Sequence, residues 1–356
     1  MKVAIDAYYL NKEKTSMGIF QYNLLKNMVK MNNNIEYIVF TDTQPHDFLG
    51  YSNVSFYSSK SNIIQRNYYI RKILKNIKID KFYATFNIIP FLSKKKFQII
   101  LQNHDWAHGI YPSSLTEYIS GNFYKRIHTY SAKVADINIS NSHFTSEQTK
   151  FYSGKNSIVI YHDADPFYKN TDIEGIRPTI NVPEYFMLYV GRVFPKYKNI
   201  RSILYAYNKI KKENEKIKLI IVHTDNYRNE DYAYIKNNNL NVINLNGLDI
   251  QNVKYLYKKA LFTIYPSLYE GFGSPILEAQ NSGSPLIVSN KGPMLEVAGS
   301  GALYFDGSWD DLYKQIDKNI NNQNLRQDLI KKGFENARKY SWEYTAKQTL
   351  EVILYG

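Results

Sequence analysis

Cysteine is absent from this chain of 356 residues. Its absence excludes disulfide bonds, thiolate nucleophiles and cysteine-based metal sites, and it suits a reducing compartment. A membrane-spanning helix needs an apolar run of about 18 residues, and no run in this chain approaches that length. The apolar run at residues 3–5 is too short for a secretory leader. We therefore expect a cytoplasmic protein.

Acidic residues are also scarce, because 32 Asp and Glu stand against 45 Lys and Arg, for a formal net charge of +13. Such a basic chain suits nucleic acid, a membrane surface or an acidic substrate. Hydrophobic residues make up 44% of the chain, which is typical of a globular protein and excludes a disordered one. No helix-turn-helix, zinc or RNA-binding pattern accompanies the charge, so nucleic acid is not the expected partner.

Short β-branched or aromatic runs alternate with segments of helical period. The runs fall at residues 3–8, 37–40, 54–57, 82–86, 97–102, 136–140, 157–161, 186–191, 218–223, 241–245, 261–266 and 285–289. Apolar strands that alternate with helices predict parallel sheets covered on both faces. Right-handed crossovers then give doubly wound, Rossmann-like α/β domains.

The least patterned segment is 163–184, which holds three prolines. We place the domain boundary there. The predicted first domain comprises residues 1–165 together with a last helix at about 341–356. A linker at 166–184 leads to the predicted second domain, 185–340.

Residues 265–279 join a buried strand to a helix through a glycine-rich turn. Its two glycines allow a ligand to approach the backbone closely. Ser274 is predicted to cap the helix, with Pro275 in its first position. A helix start at the end of a parallel strand offers N–H groups and a positive dipole to an anion. Glu270 precedes the helix and Glu278 lies about one turn inside it.

This stretch resembles the E-x7-E region of the family 4 retaining glycosyltransferases, which have the GT-B fold. The two Glu at the right spacing and the Gly-Phe-Gly-x-Pro between them carry the resemblance. It implies that Glu270 lies against the donor sugar and that Glu278 binds the ribose hydroxyls. It also implies that backbone amides of the turn hold sugar hydroxyls and phosphate, namely those of Gly271, Phe272, Gly273 and Ser274.

A second stretch, residues 189–199, reads Tyr-Val-Gly-Arg-Val-Phe-Pro-Lys-Tyr-Lys-Asn and resembles the Gly-Arg…Lys-Asn segment of the same family. There the Arg and Lys grip the diphosphate, which implies this role for Arg192 and Lys198. Lys196 remains an alternative to Lys198, because the spacing between Arg192 and Lys198 is one residue longer than in the family pattern. A departing diphosphate needs cations. The family generally uses no divalent metal, so no metal and no cofactor are expected.

The first domain and one later loop supply further expected site residues. Gly18, just ahead of a predicted helix, resembles the family's acceptor-side or phosphate loop. His104 and Asp105 follow a strand and resemble the His-Asp step that overhangs the donor sugar. His104 would bond the sugar or its leaving oxygen, and Asp105 would orient it or meet the acceptor. Leu248 and Asp249 occupy the region where relatives contact the nucleobase.

The resemblance implies a GT-B protein with two Rossmann-like domains that face a central crevice and a C-terminal helix that crosses back to the first domain. It implies a retaining transferase that moves a hexose-type sugar from a nucleotide diphosphate-sugar to a hydroxyl of a glycan or lipid-linked glycan, as in surface polysaccharide synthesis. The alternative is a nucleic-acid-binding protein, or a sugar transferase that modifies DNA, using the basic surface. The oligomeric state is left open.

Cations concentrate in residues 60–96, and apolar residues recur there at helical spacing. One interpretation is a peripheral contact with the anionic inner face of the cell membrane, near a lipid-linked acceptor. The other is an ordinary Rossmann helix with its apolar face in the core and its Lys in water. The cations of this segment are Lys60, Arg66, Arg71, Lys72, Lys75, Lys78, Lys81, Lys94, Lys95 and Lys96.

Overall fold

In a computed structural model of the protein, residues 1–10, 15–42, 45–48, 50–58, 63–90, 96–108, 110–112, 114–169 and 180–356 are described. They divide into two compact units. The first comprises residues 1–110, 119–163 and 340–356, and the second comprises residues 111–118 and 164–339.

The first unit is built on a parallel sheet. Its strands are β1 (Lys2–Asp6), β2 (Glu36–Thr41), β3 (Val54–Ser58), β4 (Lys81–Ala84), β5 (Gln98–Asn103), β6 (Ile137–Ser140) and β7 (Ile158–Val159), in the order β3-β2-β1-β4-β5-β6-β7. Its earlier helices are α1 (Ser16–Met31), α2 (Ile63–Asn76), α3 (Leu115–Val134) and α4 (His143–Ser153), of which α3 has its first four residues in the second unit. The central strands are almost entirely buried, because apolar helices cover both of their faces.

The second unit repeats this architecture. Its parallel strands are β8 (Phe186–Val190), β9 (Lys218–His223), β10 (Val242–Asn246), β11 (Phe262–Tyr265), β12 (Leu286–Ser289) and β13 (Leu303–Phe305), in the order β10-β9-β8-β11-β12-β13. Its helices are α5 (Ile200–Glu213), α6 (Asn229–Asn237), α7 (Ile250–Lys259), α8 (Ser274–Asn281), α9 (Met294–Ala298), α10 (Trp309–Asn319) and α11 (Gln323–Ala337). The prediction of two doubly wound α/β domains is confirmed.

The last helix, α12 (Trp342–Tyr355), belongs to the first unit. Its buried residues join the core around α1, and the Trp342 ring stacks on His162 at 5.8 Å between centroids. Thr345 Oγ1 donates to the carbonyl of Tyr161 at 2.8 Å. The chain therefore returns from the second unit to complete the first, as the resemblance implied.

The strand order of each sheet reverses at one point, between β1 and β4 in the first unit and between β8 and β11 in the second. Loops on either side of such a reversal diverge at the carboxyl ends of the strands and leave a crevice, where doubly wound proteins bind ligands. The predicted residues Arg192 and Lys198 follow β8, and Glu270 follows β11. They lie on the two sides of the reversal of the second sheet.

The basic segment 60–96 is described in part, since Lys60, Lys94 and Lys95 lie outside the described residues. Within α2, Ile70 is fully buried. Lys72 and Lys75 are exposed on the same helix. Among the helices of the described ranges, none combines the length and apolar character needed to cross a membrane.

Candidate functional site

An ion pair joins the loop after β8 to the loop after β11. Lys198 Nζ lies 2.6 Å from Glu270 Oε1, and each side chain is 14% exposed. The buried Tyr265 hydroxyl also hydrogen-bonds to the Glu270 carboxylate. Burial, and then the negative charge of Glu270, raise the pKa of Tyr265 well above its ordinary value, so this phenol stays a donor. Two residues that the sequence predicted separately are therefore in direct contact.

Asn199 fixes the turn that presents Lys198. Its backbone adopts the left-handed conformation, with φ 54°, which Asn tolerates better than most residues. Its Nδ2 donates to the carbonyl of Gly307 at 2.9 Å and to that of Pro266 at 3.2 Å. The N–H of Leu268 donates to the carbonyl of Tyr197 at 2.7 Å. These bonds tie the turn to the β11 loop and set the position of the ion pair.

The two candidate lysines differ in their surroundings. Lys198 is largely buried against Glu270, whereas Lys196 is exposed. The geometry thus favours Lys198 as the cation at this site. Which of them grips a diphosphate stays a prediction.

Arg192 lies on the same loop but is more accessible. Its side chain is 58% exposed, and its Nε lies 3.1 Å from Asp225 Oδ2. Asp225 also accepts from the N–H groups of Val193 at 2.7 Å and Phe194 at 3.3 Å. Asp225 therefore holds the β8 loop in shape and restrains Arg192. It was missed from the sequence, although it follows β9, whose carboxyl end neighbours that of β8.

The start of α8 differs from the prediction in one respect. The expectation that Ser274 caps the helix is wrong, because Gly273 is the N-cap and Ser274 is the first helical residue. Gly273 has φ 101°, a conformation that glycine adopts at little cost and serine does not. No side chain caps this helix start. The predicted backbone contacts through Gly271, Phe272, Gly273 and Ser274 remain predictions about this turn.

Glu278 lies within α8, in surroundings that hold its proton. Burial first, and then the charge of Asp165, raise its pKa to about 7, and a hydrogen bond from Tyr257 opposes the shift. The Tyr257 hydroxyl lies 3.3 Å from Glu278 Oε2. Asp165 was predicted to end the first domain, yet it lies in the second unit. A carboxyl that titrates near neutrality can exchange its proton for a hydrogen bond from a ligand hydroxyl.

The predicted nucleobase region lies after β10. Asp249 is the N-cap of α7, and its Oδ1 accepts from the N–H of Asn252 at 2.7 Å. Leu248 is partly buried beside it. The carboxylate of Asp249 thus shapes the helix start.

His104, in the first unit, is a neutral imidazole. Burial lowers its pKa to about 4, against weaker opposing effects of its bond to Thr85 and of Asp105. Its Nε2 lies 2.9 Å from the carbonyl of Thr85. Because a carbonyl only accepts, Nε2 carries the proton and Nδ1 is the acceptor. His104 can therefore accept a hydrogen bond, but it is not built to protonate a leaving oxygen.

Two side chains fix the backbone around His104. The His104 N–H donates to Asn87 Oδ1 at 2.7 Å, and Asn141 Nδ2 donates to the His104 carbonyl at 3.0 Å. Asp105 is partly buried, and its Oδ1 accepts from the N–H of Ala107 at 2.9 Å. The His-Asp step is thus a rigid turn after β5.

Gly18 does not lie where the sequence placed it. It is inside the first turn of α1, since the helix begins at Ser16. Thr15 caps the helix, and its Oγ1 accepts from the N–H of Gly18 at 3.1 Å. A good N-cap residue starts the helix earlier than the glycine suggested and engages the N–H that was expected to face a ligand.

A buried ion pair at the end of β1 was also missed. The Arg66 guanidinium contacts the Asp6 carboxylate, and both side chains are largely buried. Burial lowers the pKa of Arg66 to about 9, so it remains charged at neutral pH. Arg66 also lies over the ring of Tyr8, 4.5 Å from its centroid. The sequence counted Arg66 among the surface cations, whereas the fold places it inside.

Comparison with solved structures shows the fold class. The chain aligns with sucrose-phosphate synthase from Thermosynechococcus elongatus at a TM-score of 0.76 and 16% identity, over 99% of this chain and 98% of that one. It aligns with Anabaena HepE, solved in complex with UDP-glucose, at a TM-score of 0.74 and 16% identity, over 99% of both chains. The protein has the GT-B fold.

Sequence comparison points to the same class of protein. Residues 172–336 match the family model described as glycosyl transferases group 1. The chain is 30% identical to O-antigen chain mannosyltransferase B of Escherichia coli over 170 residues. The aligned segment covers 46% of this chain and 44% of that protein. The chain thus spans under half the length of this curated relative. Membership of family 4 stays a prediction.

The contact between Lys198 and Glu270 can be measured by a double-mutant cycle. Each of Lys198→Met and Glu270→Gln leaves a largely buried charge without its ion-pair partner. We therefore expect the two single losses of stability to add up to more than the loss in the double variant. The expected coupling energy is about 1–2 kcal/mol in the free energy of unfolding in urea. The control is the exposed pair Lys314 and Asp310, for which we expect less than about 0.5 kcal/mol. Equal coupling in both cycles would contradict the site geometry.

The raised pKa of Glu278 predicts a pH-dependent stability. A carboxyl with a folded-state pKa of about 7 binds its proton more tightly in the folded chain, so its ionised form opposes folding above that pH. This penalty disappears as the pH falls through about 7 towards the ordinary range. Glu278→Gln removes the penalty. We expect the variant to gain thermal stability over the wild type at about pH 8, and little at about pH 5.

The control for Glu278 is the exposed Glu335→Gln. It should shift the thermal midpoint equally at both pH values. The same flat response in Glu278→Gln would show that this carboxyl titrates normally.

Proposed function

We propose that the protein is a retaining glycosyltransferase. It moves a hexose-type sugar from a nucleotide diphosphate-sugar to a hydroxyl of a glycan or lipid-linked glycan acceptor, of the kind used in surface polysaccharide synthesis. The observation that carries the proposal is the Lys198–Glu270 pair, which lies beside the start of α8 at the strand reversal of the second sheet. A cation, a carboxylate and a helix N-terminus together suit a sugar attached to a phosphate.

The donor's diphosphate is assigned to the cations of the β8 loop. Lys198 and Arg192 offer positive charge, and the first turn of α8 adds backbone donors and the helix dipole. Both cations pair with carboxylates in this structure, Lys198 with Glu270 and Arg192 with Asp225. These carboxylates hold the cations in place before the donor arrives, which lowers the cost of ordering them.

The sugar and the ribose are assigned to the two glutamates. Glu270 would accept hydrogen bonds from sugar hydroxyls next to the phosphate that Lys198 holds. Glu278, with its pKa of about 7, would give up its proton and accept from the ribose hydroxyls. In the role that the resemblance gives it, His104 would accept a hydrogen bond from a sugar hydroxyl through Nδ1.

Transfer with retention would proceed by attack on the face from which the nucleotide leaves. The bond between the anomeric carbon and the phosphate oxygen breaks, and the acceptor oxygen bonds to that carbon on the same face. The acceptor proton passes to the departing phosphate oxygen. The protein then contributes positioning and charge stabilisation, mainly through Lys198, Arg192 and the start of α8. No metal or cofactor is required in this scheme.

The relative from Escherichia coli is an O-antigen chain mannosyltransferase, and HepE was solved with UDP-glucose. A mannosyl donor is therefore the first to test, followed by glucosyl donors. The proposed location of the protein is the cytoplasm, which would place the site in the same compartment as the nucleotide-sugar donor. The acceptor and linkage are left to experiment.

A panel of nucleotide sugars tests the proposal. We expect at least one GDP- or UDP-sugar to raise the thermal midpoint and to release its nucleoside diphosphate slowly in water, with EDTA present. Arg192→Ala and Glu270→Ala should each lower this release by about a hundredfold or more, because the first removes a cation beside the departing diphosphate and the second removes the acceptor that positions the sugar hydroxyls. Circular dichroism should show that both variants are folded.

The matched control is Lys196→Ala, which removes an exposed cation from the same loop. We expect its rate to stay within about threefold of the wild type. No thermal response to any donor would contradict the proposed function. Near wild-type rates in Arg192→Ala or Glu270→Ala would contradict the site.

A further inference from the structure

Helix α3 has an unusual outer face. Its inner face is buried on the sheet and includes Gly121, His128 and Ala132. On the outer face Ile119 is 61% exposed and Phe123 is 65% exposed. The solvent side of a Rossmann helix is normally polar, and large apolar side chains standing in water mark a binding surface.

The same face carries positive charge. Ile119, Phe123, Arg126, Tyr130 and Lys133 are spaced by three or four residues, which keeps them on one side of the helix. All five are exposed. Between residues 118 and 133 the sequence contains no Asp or Glu. We call these five residues the α3 face.

We propose that the α3 face docks on an anionic lipid surface. Apolar side chains would enter the boundary between headgroups and acyl chains, while Arg126 and Lys133 pair with lipid phosphates. The charge pattern selects this occupant, because every charge on the face is positive. Phe151, on the next helix α4, is 77% exposed and adds a further large apolar side chain to this unit.

This proposal moves the membrane contact away from residues 60–96. Within α2, Arg66 is committed to Asp6 in the interior, and Ile70 is fully buried. At these two positions α2 therefore packs in the core, as an ordinary Rossmann helix does. Its outer side carries Tyr68, which is 71% exposed, beside Lys72 and Lys75. The α3 face differs in that an aliphatic residue and two aromatic residues stand exposed there beside its cations.

Vesicle sedimentation tests the proposal without any assay of sugar transfer. The full chain is mixed with vesicles of phosphatidylcholine alone, or with about 30% phosphatidylglycerol, at low and high salt. We expect binding to the anionic vesicles at low salt. Ile119→Gln combined with Phe123→Gln should weaken it at least about tenfold. Arg126→Gln combined with Lys133→Gln should weaken it and reduce its salt dependence.

Two double variants serve as controls. Tyr232→Gln with Leu295→Gln removes apolar side chains that are 62% and 52% exposed elsewhere, and should leave binding unchanged. Lys72→Gln with Lys75→Gln removes two exposed cations of α2 and should have little effect. Thermal midpoints should confirm that all variants are folded, since the altered side chains are exposed.

Several outcomes would overturn the proposal. One is a wild-type chain that stays in solution with anionic vesicles at low salt. Another is loss of binding only in the α2 variant, which would return the contact to that helix. A third is self-association of the wild type, abolished by the Ile119 and Phe123 changes without vesicle binding, which would make the face an interface between copies.

Discussion

The ion pair between Lys198 and Glu270 links the two loops that diverge at the strand reversal of the second sheet. Placing two largely buried charges together is costly unless their geometry and other hydrogen bonds are good. Here Tyr265 also bonds to the carboxylate, and Asn199 fixes the turn that carries the lysine. These contacts hold the ion pair in one arrangement. Such order is what electrostatic stabilisation of a departing diphosphate requires.

The arrangement of the site follows from the order of strands. Residues after β8 and β11 are distant in sequence, yet parallel strands bring their carboxyl ends to one edge of the sheet. The same edge brings Asp225 to the β8 loop from the end of β9. Glu278, one helix turn further on, is partly buried, and its surroundings raise its pKa to about 7. Glu270 is thus paired with a cation, whereas Glu278 has a pKa close to neutral pH.

The sequence was sufficient for the fold because apolar strands and helical periods are local signals. It also singled out Glu270 and Lys198, since both follow strands in distinctive motifs, but it did not predict their contact. It failed where a contact between distant residues decides the outcome. Arg66 looked like a surface cation, but Asp6 holds it inside. The raised pKa of Glu278 depends first on its burial and then on Asp165, which lies 113 residues earlier in the numbering.

Two smaller failures came from competition between local signals. Ser274 was expected to cap α8, but the left-handed conformation of Gly273 makes that glycine the cap. Gly18 was expected ahead of a helix, but Thr15 is the stronger start signal and places it inside. The positive charge of the chain is likewise divided by the fold. Lys198 and Arg192 pair with carboxylates at the β8 loop, Arg66 is held in the interior by Asp6, and the cations of α3 stand beside exposed apolar residues.

The most direct measurement of the central claim is calorimetric titration with a nucleoside diphosphate and with the matching nucleoside. We expect the wild type to bind the diphosphate more tightly. We also expect Lys198→Gln to lose most of this preference, at least about tenfold, and Lys196→Gln to keep it. An unchanged preference in Lys198→Gln would contradict the assignment of this ion pair to the donor phosphates.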